Sequence, residues 1–185
     1  AIADVAGKGI PAALQMTSLR AAFRLEVKNH DSVAAVAASL NKAVAASTTP
    51  GAFVCFFCAR WRPETGLLTY CNAGMDPPVL FRGDRAIRES LRQGGPVLGV
   101  DASLGYREGV VNLRPQDRLF LYTDGLTEER DRDGAFYEAE RLLDLVAANL
   151  HATPQRLLDT IFSSVRDFGG PESSDDQTAI LFEIR

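Results

Sequence analysis

The chain has 185 residues, 46% hydrophobic and 24% charged, enough to bury a core without disulfide or metal staples. Its formal net charge of −4 argues against an electrostatic footprint for DNA or RNA, and no apolar run reaches the ~18 residues of a membrane span. Three cysteines and two histidines make no disulfide framework, fit a reducing cytoplasm and remove most histidine-based chemistry.

In chain order, residues 2–5 read as a strand already under way, and Ala1 is not a start methionine. The expectation is a fragment of a longer product, with no signal peptide visible. Residues 7–9 form a glycine turn, and Pro11 sits at a first helical position. Over 10–27, apolar side chains recur at helical spacing: Leu14, Leu19, Phe23 and Val27, with Met16 and Ala22 beside them. Asp31 and Ser32 are placed to cap a second helix carrying Val33, Val36, Ala37, Leu40 and Val44, which the turn residues 48–51 stop. The period then changes to strands over 53–61 and 67–72, flanking a hairpin signal at 63–66. Further strands are expected at 79–82, 108–113 and 118–123. Two helices follow, near 138–149 and 154–168, the second capped by Thr153 and carrying Leu157, Leu158, Ile161, Phe162 and Val165. Residues 177–184 close the chain as a strand. No linker or repeat divides the sequence, so residues 1–185 are expected to form one layered α+β domain.

Asp4 stands where a strand runs into a glycine turn, Asp124 where another apolar run ends before Gly125, and Asp175 and Asp176 before the closing strand. Any one of them alone reads as a turn former that bonds its own backbone. Three separate strand ends that each present a carboxylate instead suit a hard cation such as Mg²⁺ or Mn²⁺.

Other patterns carry less. Gly7-Lys8-Gly9 lacks the spacing of a phosphate loop, although a turn into a helix N-terminus can face an anion. Residues 129–134 nearly match a calcium loop, but Glu129 stands where Asp is needed and a strand precedes it, so an acidic turn is expected. Cys55 and Cys58, three apart on a strand, point to opposite faces and read as packing residues. No cysteine is followed six residues on by arginine, and no Gly-x-Ser-x-Gly or His-Glu-x-x-His occurs. His30 and His151 sit at helix boundaries and read as surface caps.

The stretch Asp4-Val5-Ala6-Gly7-Lys8-Gly9-Ile10-Pro11-Ala12-Ala13 resembles the first shared motif of the SpoIIE/RsbU-like bacterial serine phosphatases, part of the metal-dependent (PPM, protein phosphatase 2C-type) superfamily. The likeness continues through Asn72-Ala73-Gly74-Met75-Asp76-Pro77-Pro78, through residues 95–100 and through Asp117-Arg118-Leu119-Phe120-Leu121-Tyr122-Thr123-Asp124-Gly125-Leu126-Thr127-Glu128. It ends with Asp175-Asp176-Gln177-Thr178. The resemblance implies two packed antiparallel β-sheets flanked by helices, with a two-metal centre at one end. It implies that Asp4 bridges two Mg²⁺ or Mn²⁺ ions, that Val5 lends its carbonyl, and that Asp124 and Asp175 complete the shell. These carboxylates would act in catalysis through a metal-activated water, with Asp176 and Gly125 supporting them from behind.

Two departures stand out. Met75 occupies a position where the family usually carries histidine. The family also places an acidic ligand on a strand that would precede Ala1, so that strand and ligand are expected to be missing, leaving a sheet edge open to a second copy. The implied function is a cytoplasmic protein serine/threonine phosphatase acting on a phosphorylated anti-anti-sigma (STAS-type) protein, behind a sensor or receiver domain. A non-catalytic scaffold and a small-molecule phosphoesterase are the alternatives. Helices at 10–28 and 136–168 are expected to form the regulatory surface.

Overall fold

The computed structural model describes residues 1–47, 52–83, 87–170 and 175–185. The expected helix stop at 48–51 and the loop residues 171–174 lie outside them. In chain order the elements are β1 (Ile2–Val5), α1 (Ile10–Asn29), α2 (Val33–Ser47), β2 (Val54–Arg62), β3 (Leu67–Ala73), β4 (Val79–Arg82), β5 (Ile87–Ser90), β6 (Gly94–Gly95), β7 (Gly109–Asn112), β8 (Arg118–Tyr122), α3 (Ala139–Ala148), α4 (Pro154–Gly169) and β9 (Ala179–Glu183). They divide into two compact units, Ala1–Pro77 with Leu91–Leu113, and Pro78–Ser90 with Arg114–Arg185.

The first unit is a sheet in the order β1-β2-β3, with β6 and β7 both pairing β3. All pairings are antiparallel except a two-residue parallel match of β3 with β6. The β2–β3 hairpin closes through the expected turn, Thr65 N–H donating to the Arg62 carbonyl at 3.2 Å. Helix α2 is built as its period requires: Val33, Val36, Ala37, Leu40 and Val44 are all buried in one cluster with Val54, Phe56, Cys58 and Leu98. Ser32 Oγ caps it by accepting from Ala35 N–H at 3.1 Å.

Helix α1 only partly follows its expected face. Leu19 is buried, and Met16, Ala22, Phe23 and Val27 pack against the same cluster. Leu14, however, is 64% exposed. Five helical residues turn through about 140°, so Leu14 cannot share a face with Leu19, and its place in the apolar set is corrected. Leu19→Ala should therefore cost about 2–5 kcal/mol, and Leu14→Ala should stay within about 0.5 kcal/mol. Urea unfolding of the two variants checks this; equal losses would contradict the helix orientation.

The second unit is an antiparallel sheet in the order β5-β4-β8-β9. Its core joins Val79, Phe81, Phe120 and Tyr122 to Leu142, Val146, Leu157, Ile161 and Val165 of α3 and α4. Thr153 caps α4 as expected, its side chain accepting from Arg156 N–H. The short strands β5 and β6 have no counterpart in the sequence reading, because a polar tetrapeptide and a Gly-Gly pair carry no apolar alternation.

The weak patterns resolve as packing or turns. Asp131 Oδ1 accepts from the N–H groups of Asp133 and Ala135, both at 2.9 Å, which makes residues 131–135 a self-bonded turn. His30 caps the end of α1, its N–H donating to the Glu26 carbonyl at 3.0 Å. Cys58 and Cys71 are buried, and Cys55 is half-buried. Burial pushes the Cys58 thiol up to about 12 and the Cys71 thiol up to about 11, so neither supplies a thiolate near neutral pH. Among the described residues, no helix is long and apolar enough to cross a membrane.

Candidate metal centre

The expected site residues fall on both units, and each half is built locally. In the first unit Asp4 and Val5 end β1, in register with Cys55 and Val54 of β2. Asp4 is half-buried and Val5 buried. Ala6 N–H still donates to the Phe53 carbonyl at 3.0 Å, which holds the strand end in place. The chain then turns through Gly7 and Gly9, both at positive φ (100° and 77°), conformations that favour glycine. Helix α1 starts at once, with proline in its first turn.

Met75 lies in a tight turn of this unit. Its N–H donates to Asn72 Oδ1 at 2.9 Å, and Asn72 Nδ2 donates back to the Met75 carbonyl at 3.0 Å. The side chain is buried, so a thioether packs where the resembled family carries an imidazole. Residues 95–100 are also structural: Val54 and Leu98 exchange backbone hydrogen bonds at 2.9 and 2.8 Å.

In the second unit the strand β8 ends at Tyr122, and Asp124 opens a single 3-10 turn, Asp124–Leu126. The Asp124 carbonyl accepts from the N–H groups of Thr127 and Glu128 at 2.8 and 2.7 Å. Its carboxylate oxygen Oδ1 is buried and has no hydrogen-bond partner among the described residues. Asp117, which opens the same sequence motif, differs: its carboxylate accepts from Arg82 Nη1 and from Arg114 N–H, both at 2.9 Å. Asp117 is a fold residue.

Asp175 and Asp176 are exposed, and Asp175 Oδ1 accepts from Asp176 N–H at 2.8 Å. Their loop is bonded to the Asp124 turn at several points. Thr123 Oγ1 donates to the Asp176 carbonyl at 3.2 Å and accepts from Thr178 N–H at 3.0 Å. A Cβ on Gly125 would stand 2.3 Å from the Asp176 carbonyl oxygen. Gln177 Nε2 donates to Glu129 Oε2 at 2.9 Å, and Glu129 is buried.

Thr123 and Gln177 carry no site signal of their own in the sequence. Thr123 and Gln177 lie inside quoted motifs beside the aspartates, and that adjacency is the only signal they carry. Glu129 read as part of an acidic turn.

The structure thus joins the Asp124 turn to the Asp175–Asp176 loop within one unit, and sets Asp4 and Val5 at a strand end of the other. Among the described residues, no group of three or more histidine, cysteine, aspartate or glutamate side chains stands ready as a metal cage. The donor chemistry nevertheless fits a hard cation. Every candidate ligand is an oxygen. A buried carboxylate oxygen without a partner, as at Asp124, is costly unless something compensates it, and a divalent cation would do so.

A family model described as Stage II sporulation protein E (SpoIIE) matches residues 1–185. The chain is similar to the phosphoserine phosphatase RsbU of Bacillus subtilis (strain 168), 29% identical over 181 residues, covering 98% of this chain and 54% of that protein. Among solved structures it is similar to the SiaA-PP2C domain of Pseudomonas aeruginosa, with a TM-score of 0.87 at 19% identity over 99% of this chain and 74% of that one. It is also similar to the RsbU and RsbW domains of Rv1364c from Mycobacterium tuberculosis, with a TM-score of 0.81 at 26% identity over 99% of this chain and 50% of that one. The chain spans about half the length of the RsbU protein it matches. Two sheets with four helices, the expected fold class, are the architecture of these neighbours.

Proposed function

The chain belongs to the SpoIIE family, and from that premise we propose that residues 1–185 are a metal-dependent protein serine/threonine phosphatase domain that hydrolyses phosphoserine or phosphothreonine. The observation that carries the reading is the buried Oδ1 of Asp124, which no described residue satisfies, in a motif that this family shares. The name of the similar RsbU, a phosphoserine phosphatase, supports the same activity here.

In the complete domain, Asp4, Asp124 and Asp175 would help hold two Mg²⁺ or Mn²⁺ ions, with the Val5 carbonyl as a further oxygen and an acidic ligand from a preceding strand. When bound, such ions polarise a phosphate ester and its attacking water and offset the charge of the displacement. The chain itself contributes rigid placement. Asp4 is fixed by the β1–β2 register, and Asp124 by the hydrogen bonds its carbonyl accepts. Gly125 lets the backbone at Asp176 approach closely. Cys58 and Cys71, buried and held protonated, do not serve as nucleophiles, which supports direct attack by water.

The finer reading is a cytoplasmic partner-switching phosphatase that regulates a sigma factor. Its substrate is a phosphorylated STAS-type protein and its signal comes from a sensor or receiver domain on the same polypeptide. Pairing of the domain with a second copy belongs to the same reading, and nucleic acid is not among its partners. The relatedness to RsbU and the acidic net charge support this. A panel assay on the full-length protein with Mn²⁺ tests the substrate class: a phosphoserine STAS protein, p-nitrophenyl phosphate and nucleotides side by side. Preference for the phosphoprotein is expected. Preference for nucleotides would overturn the reading in favour of a small-molecule phosphoesterase.

A further inference from the structure

We propose that Glu129 is a positioning residue, whose buried carboxylate, acting through Gln177, locks the loop of Asp175 and Asp176 onto the turn of Asp124. The proposal rests on the phosphatase reading for its purpose, and on hydrogen bonds within the second unit for its geometry.

Glu129 is held from several sides. Its carbonyl accepts from Tyr137 N–H at 2.9 Å, and Oε1 accepts from Arg130 N–H at 3.3 Å. Its side chain lies against the last residue of α4, where a Cβ on Gly169 would stand 2.5 Å from both Cγ and Oε1. Tyr137, in turn, packs edge-on against Phe168 at 5.3 Å and bonds Ser164 at 2.7 Å. Glu129 Oε2 is therefore a fixed acceptor anchored to α4, and Gln177 Nε2 donates to it at 2.9 Å.

The positions along the chain give this bond its meaning. Gln177 follows Asp176 directly, and its backbone neighbours, the Asp176 carbonyl and the Thr178 N–H, are both bonded to Thr123 Oγ1. Thr123 immediately precedes Asp124, and Glu129 ends the same short segment. The 175–178 loop is thus pinned at both ends of the segment that presents Asp124. A metal ion needs its carboxylates aligned before it arrives, and outer hydrogen-bond partners of ligands supply that alignment.

The test uses the full-length protein and four variants: Glu129→Ala, Gln177→Ala, the double variant, and Glu129→Gln, which keeps an acceptor facing Gln177. The first readout is amide hydrogen exchange across 175–180 without metal. Both single alanine variants should exchange faster at Thr178 than the parent, the double no faster than either, and Glu129→Gln should match the parent. The second readout is Mn²⁺ titration by thermal shift together with turnover. The half-saturating Mn²⁺ concentration should rise by about 10- to 100-fold in the alanine variants, with kcat recovering at saturating Mn²⁺. Unchanged exchange and unchanged Mn²⁺ requirement in Gln177→Ala would overturn the proposal, as would losses that add in the double variant. If Glu129→Ala fails to fold, Gln177→Ala and Glu129→Gln still decide it. A parent protein that neither takes up Mn²⁺ nor releases phosphate would defeat the phosphatase reading, and the exchange data would then decide the lock by themselves.

Discussion

Asp124→Asn should lose Mn²⁺-dependent turnover and keep its fold. The asparagine matches the aspartate in shape, and the backbone bonds that set the turn run through the Asp124 carbonyl, not its side chain. What changes is the buried oxygen that no described residue satisfies. A neutral amide is a poor ligand for a hard cation, so the loss should exceed the ~100-fold that marks removal of an outer partner of a ligand. In the metal-free protein the melting temperature should hold or rise, because no hydrogen bond from a described residue to Oδ1 is lost. Thermal melts and phosphate release on the same preparation check both halves. Full turnover in the variant would remove Asp124 from the site.

Gly125→Ala should be strongly damaging for so small a change. The new Cβ would meet the Asp176 carbonyl oxygen at 2.3 Å and its carbon at 3.0 Å. Both are backbone atoms of a loop already bonded to Thr123, so neither can swing away as a flexible side chain would. Relief requires the Asp124 turn and the Asp176 loop to part. The expected cost is about 1–3 kcal/mol from overpacking, together with weakened metal uptake. Gly105 is the control: no atom lies within 4 Å of its Cβ position, so Gly105→Ala should stay within about 0.5 kcal/mol. Equal behaviour of the two variants in urea unfolding would contradict the close approach.

What the sequence revealed depended on whether a signal was local. The buried face of α2 was legible residue by residue, because Val33, Val36, Ala37, Leu40 and Val44 repeat the helical period. The same reasoning misplaced Leu14, which recurs at tolerable spacing but on the far side of α1. Asn41 was invisible, since its burial depends on partners far along the chain: Nδ2 donates to the Asp101 carbonyl and Oδ1 accepts from Gly99 N–H, both at 2.8 Å. The aspartates of the candidate site were legible as carboxylates at strand ends and through the family resemblance. The residues that hold two of them in place were not, because Thr123, Glu129 and Gln177 act through hydrogen bonds across about fifty residues of sequence, for which no spacing rule exists. Asp117 was quoted within the same motif as Asp124, and only its bonds to Arg82 and Arg114 separate a fold residue from a site residue.

The most direct test is release of inorganic phosphate from a phosphoserine protein by the full-length polypeptide, followed as Mn²⁺ is titrated in and then removed by a chelator, with Asp124→Asn run in parallel. The account predicts turnover that appears with Mn²⁺, disappears with the chelator, returns on adding metal back, and stays absent in the variant. Phosphate release that is unaffected by the chelator, or equal in Asp124→Asn and the parent, would contradict it.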